Sequence, residues 1–233
     1  MDKLTTFKKL VLGAKGLIFD FDGLLADSEK YHFLAYNEVF EKFGHTLDET
    51  EYYKYWTSLG HGVRGEIERH GLELDPVAIR REKMPIFSRY CEDGSIGLFD
   101  EAAEIVSRLA RLGKTMVIAS GTPAGDIRAV LRNAGFEDTF EVILGSDTVP
   151  KIKPAPDIFI KTLSMIGLNA EECVVFEDAE KGMFASIEAG IPVVVIRTPQ
   201  TMNFDFSRAD LTLDSHARTL DLVRRATDDR SPP

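Results

Sequence analysis

Residues 17–29 read LIFDFDGLLADSE, and the change of composition within this stretch decides how the rest of the chain is interpreted. Its apolar first half is typical of a buried strand, which ends at Asp20, Phe21 and Asp22 before the chain turns at Gly23. Two carboxylates this close repel each other, and their burial lowers stability unless a cation lies between them or they serve a chemical purpose. The stretch therefore predicts a functional site at the end of a buried strand.

The composition limits the kinds of partner that the protein can have. Its 233 residues are 44% hydrophobic and 28% charged, as in ordinary globular chains, and the formal net charge is −10. A chain this acidic is not expected to bind nucleic acid or an anionic membrane surface, whereas a metal ion or a lysine can still attract a small anionic substrate. Cys91 and Cys173 lack metal-ligand spacing, and no apolar run reaches the roughly 18 residues of a membrane span. We therefore expect a cytoplasmic protein.

Short apolar runs alternate with amphipathic segments over most of the chain. The strand candidates are residues 16–21, 114–120, 141–145, 173–177, 192–196 and 209–213, and the helix candidates between them are residues 100–113, 122–135, 155–167 and 179–190. The strands are almost continuously apolar, as in parallel strands covered on both faces. Thr122 is expected to cap the second of these helices, with Pro123 at its first position. The alternation predicts an α/β fold with a doubly wound, mostly parallel sheet.

One segment interrupts this alternation, since residues 27–94 contain helical patterns and no convincing strand. We predict an inserted α-helical cap domain over residues 27–94, with the α/β catalytic core formed by residues 1–26 and 95–233. The aromatic cluster YYKYW at residues 52–56 is expected in the interior of the cap. The apolar part of the first 15 residues is too short for a secretion signal, so this segment is interpreted as a leader or an extra edge segment.

Polar residues follow the ends of four predicted strands. In chain order these residues are Asp20 and Asp22, then Ser120, then Lys151 and Lys153, and finally Glu177 and Asp178. Because the carboxyl ends of neighbouring parallel strands meet at one edge of a sheet, we expect these groups to converge. Several carboxylates beside a phosphate-sized anion favour a hard divalent cation such as Mg²⁺.

In this order the motifs resemble those of the haloacid dehalogenase-like phosphotransferases whose helical cap is inserted after the first strand. That group includes phosphatases and β-phosphoglucomutase. The resemblance covers roughly residues 16–225, and it rests on DFDG at residues 20–23, Ser120, Lys153 before PAPD, and Glu177-Asp178 before a glycine-containing helix. The family often has a serine where this chain has Ala179, a departure that touches no expected ligand.

The resemblance implies a role for each core residue. Asp20 would be the nucleophile that forms an aspartyl-phosphate, and Asp22 would be the general acid and base. Ser120 and the Gly121 backbone N–H would bind phosphoryl oxygens beside a helix N-terminus. Lys153 would neutralise the charge that develops during transfer, whereas its exposed-looking neighbour Lys151 is interpreted as a solvated loop charge.

The resemblance also implies a Mg²⁺ site. The metal would be bound by Asp20, by the backbone carbonyl of Asp22 and by Asp178, with Glu177 helping directly or through water. Taken singly, these residues have simpler explanations: Glu177-Asp178 also fits a helix N-cap, and Ser120 also fits a strand-end hydrogen-bonding residue. The order in which all four motifs occur is what favours catalysis.

Three residues of the cap segment are candidates for substrate binding by the same resemblance. β-Phosphoglucomutase-like proteins contact their substrate through a histidine at the position of His32, an arginine in a short cap loop and a cap lysine. Arg64 and Lys83 match the last two positions less closely than His32 matches the first. Both also fit the simpler interpretation of solvated helix charges, and the two alternatives stay open at this point.

Together these features predict an enzyme that uses Mg²⁺ to hydrolyse a small phosphomonoester, such as a sugar phosphate or another metabolite phosphate. The reaction would pass through an aspartyl-phosphate, and we expect a monomer. The alternative within the family is a β-phosphoglucomutase-like sugar phosphomutase, which would pass the phosphoryl group to a sugar hydroxyl. A catalytically silent binding protein on this fold is a third interpretation, but it would have little need for Asp20, Asp22 and Lys153 together. Dehalogenase chemistry is disfavoured because Asp22 and Glu177-Asp178 suit a metal-dependent phosphoryl site.

Overall fold

Six parallel strands form one sheet at the centre of the molecule. The computed structural model describes residues 2–58 and 61–228. Its strands are β1 (Gly16–Phe19), β2 (Thr115–Ala119), β3 (Val142–Leu144), β4 (Cys173–Glu177), β5 (Val193–Ile196) and β6 (Leu211–Leu213). The order across the sheet is β3-β2-β1-β4-β5-β6, and every pairing is parallel. All six predicted strands are present, and the predicted α/β fold is confirmed.

Helices cover both faces of the sheet. They are α6 (Asp100–Ala110), α7 (Ala124–Ala134), α8 (Asp157–Ile166), α9 (Glu180–Glu188) and α10 (His216–Asp228), with short 3₁₀ turns at Glu137–Thr139, Ser146–Thr148 and Ala170–Glu172. Alternate strand residues point to opposite faces. In β1, Leu17 and Phe19 belong to the hydrophobic cluster that contains residues of α6 and α10, whereas Ile18 packs with residues of α8 and α9. Burial on both faces explains why the strands are almost continuously apolar.

The start of α7 corrects the prediction for Thr122. The N-cap position is occupied by Pro123, and the helix begins at Ala124. Thr122 lies one residue earlier, and its hydroxyl donates instead to Asp22 Oδ2 over 2.7 Å. The hydroxyl that was expected to cap a helix therefore belongs to the neighbourhood of the strand-end carboxylates.

Helices fill the sequence between β1 and β2. They are α2 (Glu29–Glu41), α3 (Glu49–Glu51), a π-helical segment (Tyr52–Ser58), α4 (Gly62–His70) and α5 (Pro76–Glu92), and we call them the cap helices. Tyr52 and Trp56 are buried, as expected for the aromatic cluster, and the ring of Tyr52 packs edge-on against Phe33. Residues 59 and 60, which lie just before the segment that carries Arg64, are outside the described residues. The ends of the cap and core domains stay a prediction.

The N-terminal segment is helical over residues 3–12 and packs on the core. α1 (Lys3–Phe7) begins after the N-cap residue Asp2, and a π-helical turn (Lys8–Leu12) continues it. Phe7 and Val11, four residues apart, are fully buried in the main hydrophobic cluster. These two side chains tie the segment to the core.

The sheet order creates a topological switch between β1 and β4. The chain leaves β1 through β2 and β3 on one side and then returns to the other side of β1 for β4. In open α/β sheets, ligands bind outside the carboxyl ends of the strands at this point. Asp20 directly follows β1, and Glu177 ends β4. Within the described residues, no helix has both the length and the apolar character needed to cross a membrane.

Candidate active site

Asp20 and Asp22 occupy the turn that directly follows β1. The Asp20 backbone N–H still donates to the carbonyl oxygen of Phe176 in β4 over 2.9 Å, so the sheet fixes this residue. Gly23 has φ of 72°, in the left-handed region that favours glycine. A Cβ at this position would also lie 2.6 Å from Asp178 Oδ2. Glycine therefore permits the turn and leaves room for a third carboxylate beside the first two.

Lys153 supplies a cation between buried carboxylates. Its Nζ lies 2.8 Å from Asp20 Oδ1 and 2.5 Å from Glu177 Oε1, and all three side chains are less than a tenth exposed. Burial acts against the ammonium, but the charges of Asp20 and Glu177 outweigh it and raise the pKa of Lys153 above its ordinary value. Lys153 is therefore a permanent positive charge at the end of β1.

Asp20, Glu177 and Asp178 form what we call the acidic cluster, in which one carboxylate oxygen from each residue lies within 4.8 Å of the others. Three ionised carboxylates against the one ammonium of Lys153 leave two negative charges uncompensated. Burial, followed by the charges of Glu177 and Asp20, raises the pKa of Asp178 well above its ordinary value. Burial and the charge of Asp20 likewise raise the pKa of Glu177 to about 6. A hard divalent cation would remove this electrostatic cost, so the donor set fits Mg²⁺.

Hydrogen bonds show which oxygens of the acidic cluster are open to a ligand. Glu177 Oε1 accepts from Lys153, and Oε2 accepts from the backbone N–H groups of Asp178 and Ala179. Among the described residues, none donates to the Asp178 carboxylate or to Asp20 Oδ2. Gly182 in α9 lies against Glu177, and a Cβ there would overlap the Glu177 carboxylate. Glu177 thus holds Lys153 and the start of α9, while Asp20 and Asp178 offer free metal-binding oxygens.

Asp22 accepts four hydrogen bonds. Oδ1 accepts from Ser28 Oγ at 2.8 Å and lies 3.2 Å from His32 Nε2, while Oδ2 accepts from Thr122 Oγ1 at 2.7 Å and from Ser120 Oγ at 3.2 Å. Burial alone would raise the pKa of Asp22, but the hydrogen bonds from His32, Thr122 and Ser28 outweigh it and hold the pKa well below its usual range. Asp22 is therefore an ionised carboxylate with both oxygens engaged.

A chain of contacts links Asp22 to the cap helix α5 through His32 and Lys83. Lys83 Nζ lies 2.7 Å from His32 Nδ1. Because an ammonium only donates, His32 Nδ1 accepts, and the proton on Nε2 is directed at Asp22. Phe87 stacks on the His32 ring at 4.1 Å between centroids and lies 3.8 Å below Lys83 Nζ. Burial lowers the pKa of Lys83 to about 8, against the opposing effect of the Asp22 charge.

The loop after β2 adds two hydroxyls and a helix N-terminus. Ser120 is buried, and its Oγ also accepts the Thr122 N–H at 3.1 Å. Gly121 is exposed, and α7 begins three residues later. Backbone N–H groups at such a start favour an oxyanion. Thr122 is a site residue that the sequence analysis missed, and the only signal for it was its position directly after the strand-end Ser120 and Gly121.

A cleft of about 580 Å³ opens between this end of the sheet and the cap helices. Four predicted residues line it, namely Asp20, Asp22, Lys153 and Asp178. Arg80 of α5 also lines the cleft, and the sequence analysis missed it. A signal for it existed, since Arg80 lies three residues before Lys83 and therefore near it on the same helix surface.

Arg64 lies apart from this cleft. It lines a second cavity of about 580 Å³ together with Tyr55, His61 and Arg69. Of the three candidate residues in the cap segment, the structure thus brings His32 and Lys83 to Asp22 and leaves Arg64 elsewhere. The arginine that faces the cleft is Arg80.

Comparison with known proteins adds to this geometry. Residues 17–196 match the family model of the haloacid dehalogenase-like hydrolases. The chain is 32% identical over 210 residues to protein CbbY of Rhodobacter capsulatus, covering 84% of this chain and 91% of that protein. It is 30% identical to fructose-1-phosphate phosphatase YqaB of Escherichia coli (strain K12), and the match covers 78% of this chain and 96% of that protein. A crystal structure of a CbbY mutant from Rhodobacter sphaeroides in complex with xylulose-(1,5)bisphosphate superposes on this chain with a TM-score of 0.74 at 29% identity. The match covers 88% of this chain and 95% of that one.

A parallel sheet with buried carboxylates and a lysine at its switch point is typical of enzymes of the α/β class, and it makes the carboxyl ends of β1 and β4 the candidate active site. The chain belongs to the haloacid dehalogenase-like hydrolase family. The resemblance noted in the sequence is thereby confirmed, as is the expectation of an enzyme. A silent binding protein is not supported.

Proposed function

We propose that this enzyme is a Mg²⁺-dependent phosphatase that hydrolyses a small sugar phosphate through an aspartyl-phosphate. The observation that carries the proposal is the convergence of Asp20, Asp22, Lys153 and Asp178 on one cleft. The relatives support the substrate class, since one is a fructose-1-phosphate phosphatase and another binds xylulose-(1,5)bisphosphate. The cleft volume of about 580 Å³ is in the range of small-molecule sites.

The acidic cluster would hold the metal. Asp20 and Asp178 would bind Mg²⁺ directly, the backbone carbonyl of Asp22 would add a ligand, and Glu177 would act directly or through water. The cation, when bound, offsets the negative charge shared by the Asp20 carboxylate and the phosphoryl oxygens. Lys153 pairs with Asp20 and Glu177 and compensates the buried negative charge of the acidic cluster only in part.

The first half of the proposed reaction transfers the phosphoryl group to Asp20. A carboxylate oxygen of Asp20 forms a bond to phosphorus, and the bond from phosphorus to the sugar oxygen breaks. Asp22 gives its proton to that leaving oxygen. Asp22 must therefore be protonated when substrate is bound. Phosphoryl oxygens that take over the hydroxyls of Ser120 and Thr122 would remove two hydrogen bonds from Asp22 and raise its pKa, which favours this state.

The second half returns the enzyme to its starting state. Asp22, now a carboxylate, removes a proton from a water molecule as the water oxygen attacks the phosphorus of the aspartyl-phosphate. The bond between phosphorus and Asp20 breaks, and inorganic phosphate is released. Lys153 stays beside Asp20 and neutralises charge in both transition states. The cap helices exclude bulk water from the cleft during the first half.

A paired assay on purified enzyme with Mg²⁺ tests the proposal. One arm measures phosphate release from a panel of sugar and other metabolite phosphates, and the other measures conversion of β-glucose 1-phosphate to glucose 6-phosphate with a bisphosphate primer. The mutase alternative is favoured by the contact of His32 and Lys83 with Asp22, and it is weakened by the position of Arg64 outside the cleft. Isomerisation with little phosphate release would replace our proposal by the mutase.

Mg²⁺ is expected to raise the melting temperature of the wild-type protein, and Asp178→Asn is expected to remove most of that shift. A ligand at a hundredfold excess over its Kd adds about 2.7 kcal/mol to the free energy of unfolding. Without Mg²⁺ the variant should be at least as stable as wild type, because a buried like charge has been removed. The control is Asp138→Asn, an exposed aspartate before β3. An unchanged Mg²⁺ shift in Asp178→Asn would count against this metal site.

Lys83→Met is expected to lower kcat about a hundredfold with little change in KM. Lys83 fixes the His32 tautomer that donates to Asp22, and it is not among the residues lining the cleft. In the wild type, activity should fall as the pH rises through about 8, where Lys83 loses its proton. The variant should lack this alkaline limb. Lys30→Met, at an exposed position of α2, is the matched control; an alkaline limb retained in Lys83→Met contradicts the assignment.

A further inference from the structure

A second group of metal-binding side chains lies in the cap helices, outside the cleft. His45 follows α2 in a loop, while Glu66 and His70 lie four residues apart on α4. His45 Nε2 is 2.8 Å from Glu66 Oε1, and His70 Nε2 is 3.4 Å from the same oxygen. One donor atom from each lies within 4.8 Å of the others. None of these three residues lines the catalytic cleft, so we call them the histidine cluster and treat them separately.

The donor atoms are close enough together for one metal ion to bind all three. Zinc binds imidazole nitrogen and carboxylate oxygen at about 2.0–2.2 Å, which places neighbouring donors of a tetrahedron about 3.3–3.6 Å apart. The 3.4 Å between His70 Nε2 and Glu66 Oε1 lies in that range. The 2.8 Å between His45 Nε2 and the same oxygen is a hydrogen-bond distance, which would lengthen by about half an ångström around a metal. Two imidazoles and one carboxylate are also a donor set that zinc adopts in proteins.

The surroundings hold Glu66 in the orientation that such a site needs. Its side chain is only 3% exposed. Glu66 Oε2 accepts from Trp56 Nε1 at 3.2 Å and from Arg69 Nη2 at 2.5 Å, which leaves Oε1 to face the two imidazoles. Metal-binding carboxylates are commonly fixed in this way by groups behind them.

A fourth position is available on the open side of the cluster. The His70 side chain is 37% exposed, so water can reach this side, and Glu51 Oε2 lies 3.7 Å from His70 Nε2. Arg69 pairs with both Glu51 and Glu66, and it offsets one of their two negative charges. Its Nε also donates to His70 Nε2 over 3.2 Å, a hydrogen bond that a bound metal would replace. With neutral imidazoles, two carboxylates against one guanidinium leave one net negative charge for a cation.

We propose that His45, Glu66 and His70 bind a divalent transition-metal ion, with Zn²⁺ as the best fit, at a structural site in the cap helices. The site ties the loop after α2 to α4 and supports Trp56, whose ring lines the catalytic cleft. It is independent of the Mg²⁺ site at the acidic cluster, and its loss leaves the catalytic carboxylates in place.

Metal titration of the full chain, freed of metal by a chelator, tests this site. Zn²⁺ binding is measured calorimetrically, and Co²⁺ is used as a spectroscopic probe because four-coordinate nitrogen and oxygen ligands give intense visible bands that an octahedral oxygen site does not. We expect one equivalent of Zn²⁺ beyond any bound at the acidic cluster, together with those intense Co²⁺ bands. His70→Gln should lose that equivalent, with affinity lowered about a hundredfold. His61→Gln, an exposed histidine outside the cluster, should keep it.

The outcomes separate a metal site from a plain ion-pair network. Equal Zn²⁺ stoichiometry and affinity in wild type and His70→Gln would overturn the proposal, and so would a wild-type Co²⁺ complex without the intense bands. His45→Gln is the second variant, in case the first is poorly folded, and it should lose the same equivalent. Phosphatase activity with Mg²⁺ is read separately, so failure of the zinc site and failure of the proposed function remain distinguishable.

Discussion

Asp20→Asn is expected to lower kcat for phosphate release at least about 10⁴-fold, because the amide cannot act as the nucleophile that accepts the phosphoryl group. The substitution keeps the size and shape of the side chain, and it removes one of three clustered negative charges. The fold should therefore survive, since Lys153 keeps its 2.5 Å contact with Glu177. Steady-state assays with the best substrate of the panel measure the change.

Circular dichroism and thermal melting check that the Asp20→Asn variant is folded. The matched control is Asp138→Asn, at an exposed position before the amino end of β3, and it should behave as the wild type. A folded Asp20→Asn enzyme with more than a tenth of wild-type kcat would show that Asp20 is not the nucleophile, whatever the substrate.

Lys153→Met is expected to damage stability and turnover together. Removing the ammonium leaves Asp20, Glu177 and Asp178 as buried carboxylates without a protein cation. Breaking a buried pair from one side costs about 3–5 kcal/mol in the free energy of unfolding. The rate should fall about 10²–10³-fold, as for the loss of one group that stabilises transition-state charge. Urea denaturation and steady-state kinetics measure the two effects.

The stability loss in Lys153→Met should depend on pH in a defined direction. Burial raises the pKa of Glu177 to about 6 even beside Lys153, and loss of the ammonium raises it further. The uncompensated charge is therefore present above that pKa and disappears as protons bind below it. The deficit relative to wild type should be smaller near pH 5 than near pH 8. Mg²⁺ should also reduce it, because the cation replaces part of the lost positive charge.

Lys151→Met is the matched control for this prediction, since Lys151 is exposed two residues away in the same loop. It should change the free energy of unfolding by no more than about 0.5 kcal/mol, and it should change the rate by no more than the factor to which that energy corresponds. A Lys153→Met protein as stable as the control at neutral pH without Mg²⁺ would contradict the charge balance described for the acidic cluster.

The fold could be predicted because its strands are local and uniformly apolar. An apolar run such as residues 173–177 indicates a strand buried on both faces, even when the neighbouring strands are not known. The order of the strands across the sheet depends on pairing between distant parts of the chain, so the apolar runs alone do not predict it. The N-terminal helix was missed for a different reason: Phe7 and Val11 are only two apolar anchors in a short segment, and their burial depends on the core that they cover.

The core of the site was also predictable, because parallel strands bring their carboxyl ends to one edge. Asp20, Asp22, Lys153 and Asp178 needed only that rule to be placed together. The cap side of the site could not be predicted in this way, because the path of the cap helices decides which side chains face the cleft. Arg64 and Arg80 look alike in the sequence, and only the packing of α4 and α5 directs Arg80 to the cleft.

Trapping the phosphorylated enzyme tests the central claim most directly. Enzyme mixed with substrate and Mg²⁺ is quenched in acid within the first turnover, digested, and analysed by mass spectrometry for a peptide that carries one added phosphoryl group. We predict that the group is attached to Asp20 and that it is absent from the Asp20→Asn variant. Turnover without a phosphorylated peptide, or a phosphoryl group on any residue other than Asp20, would contradict it.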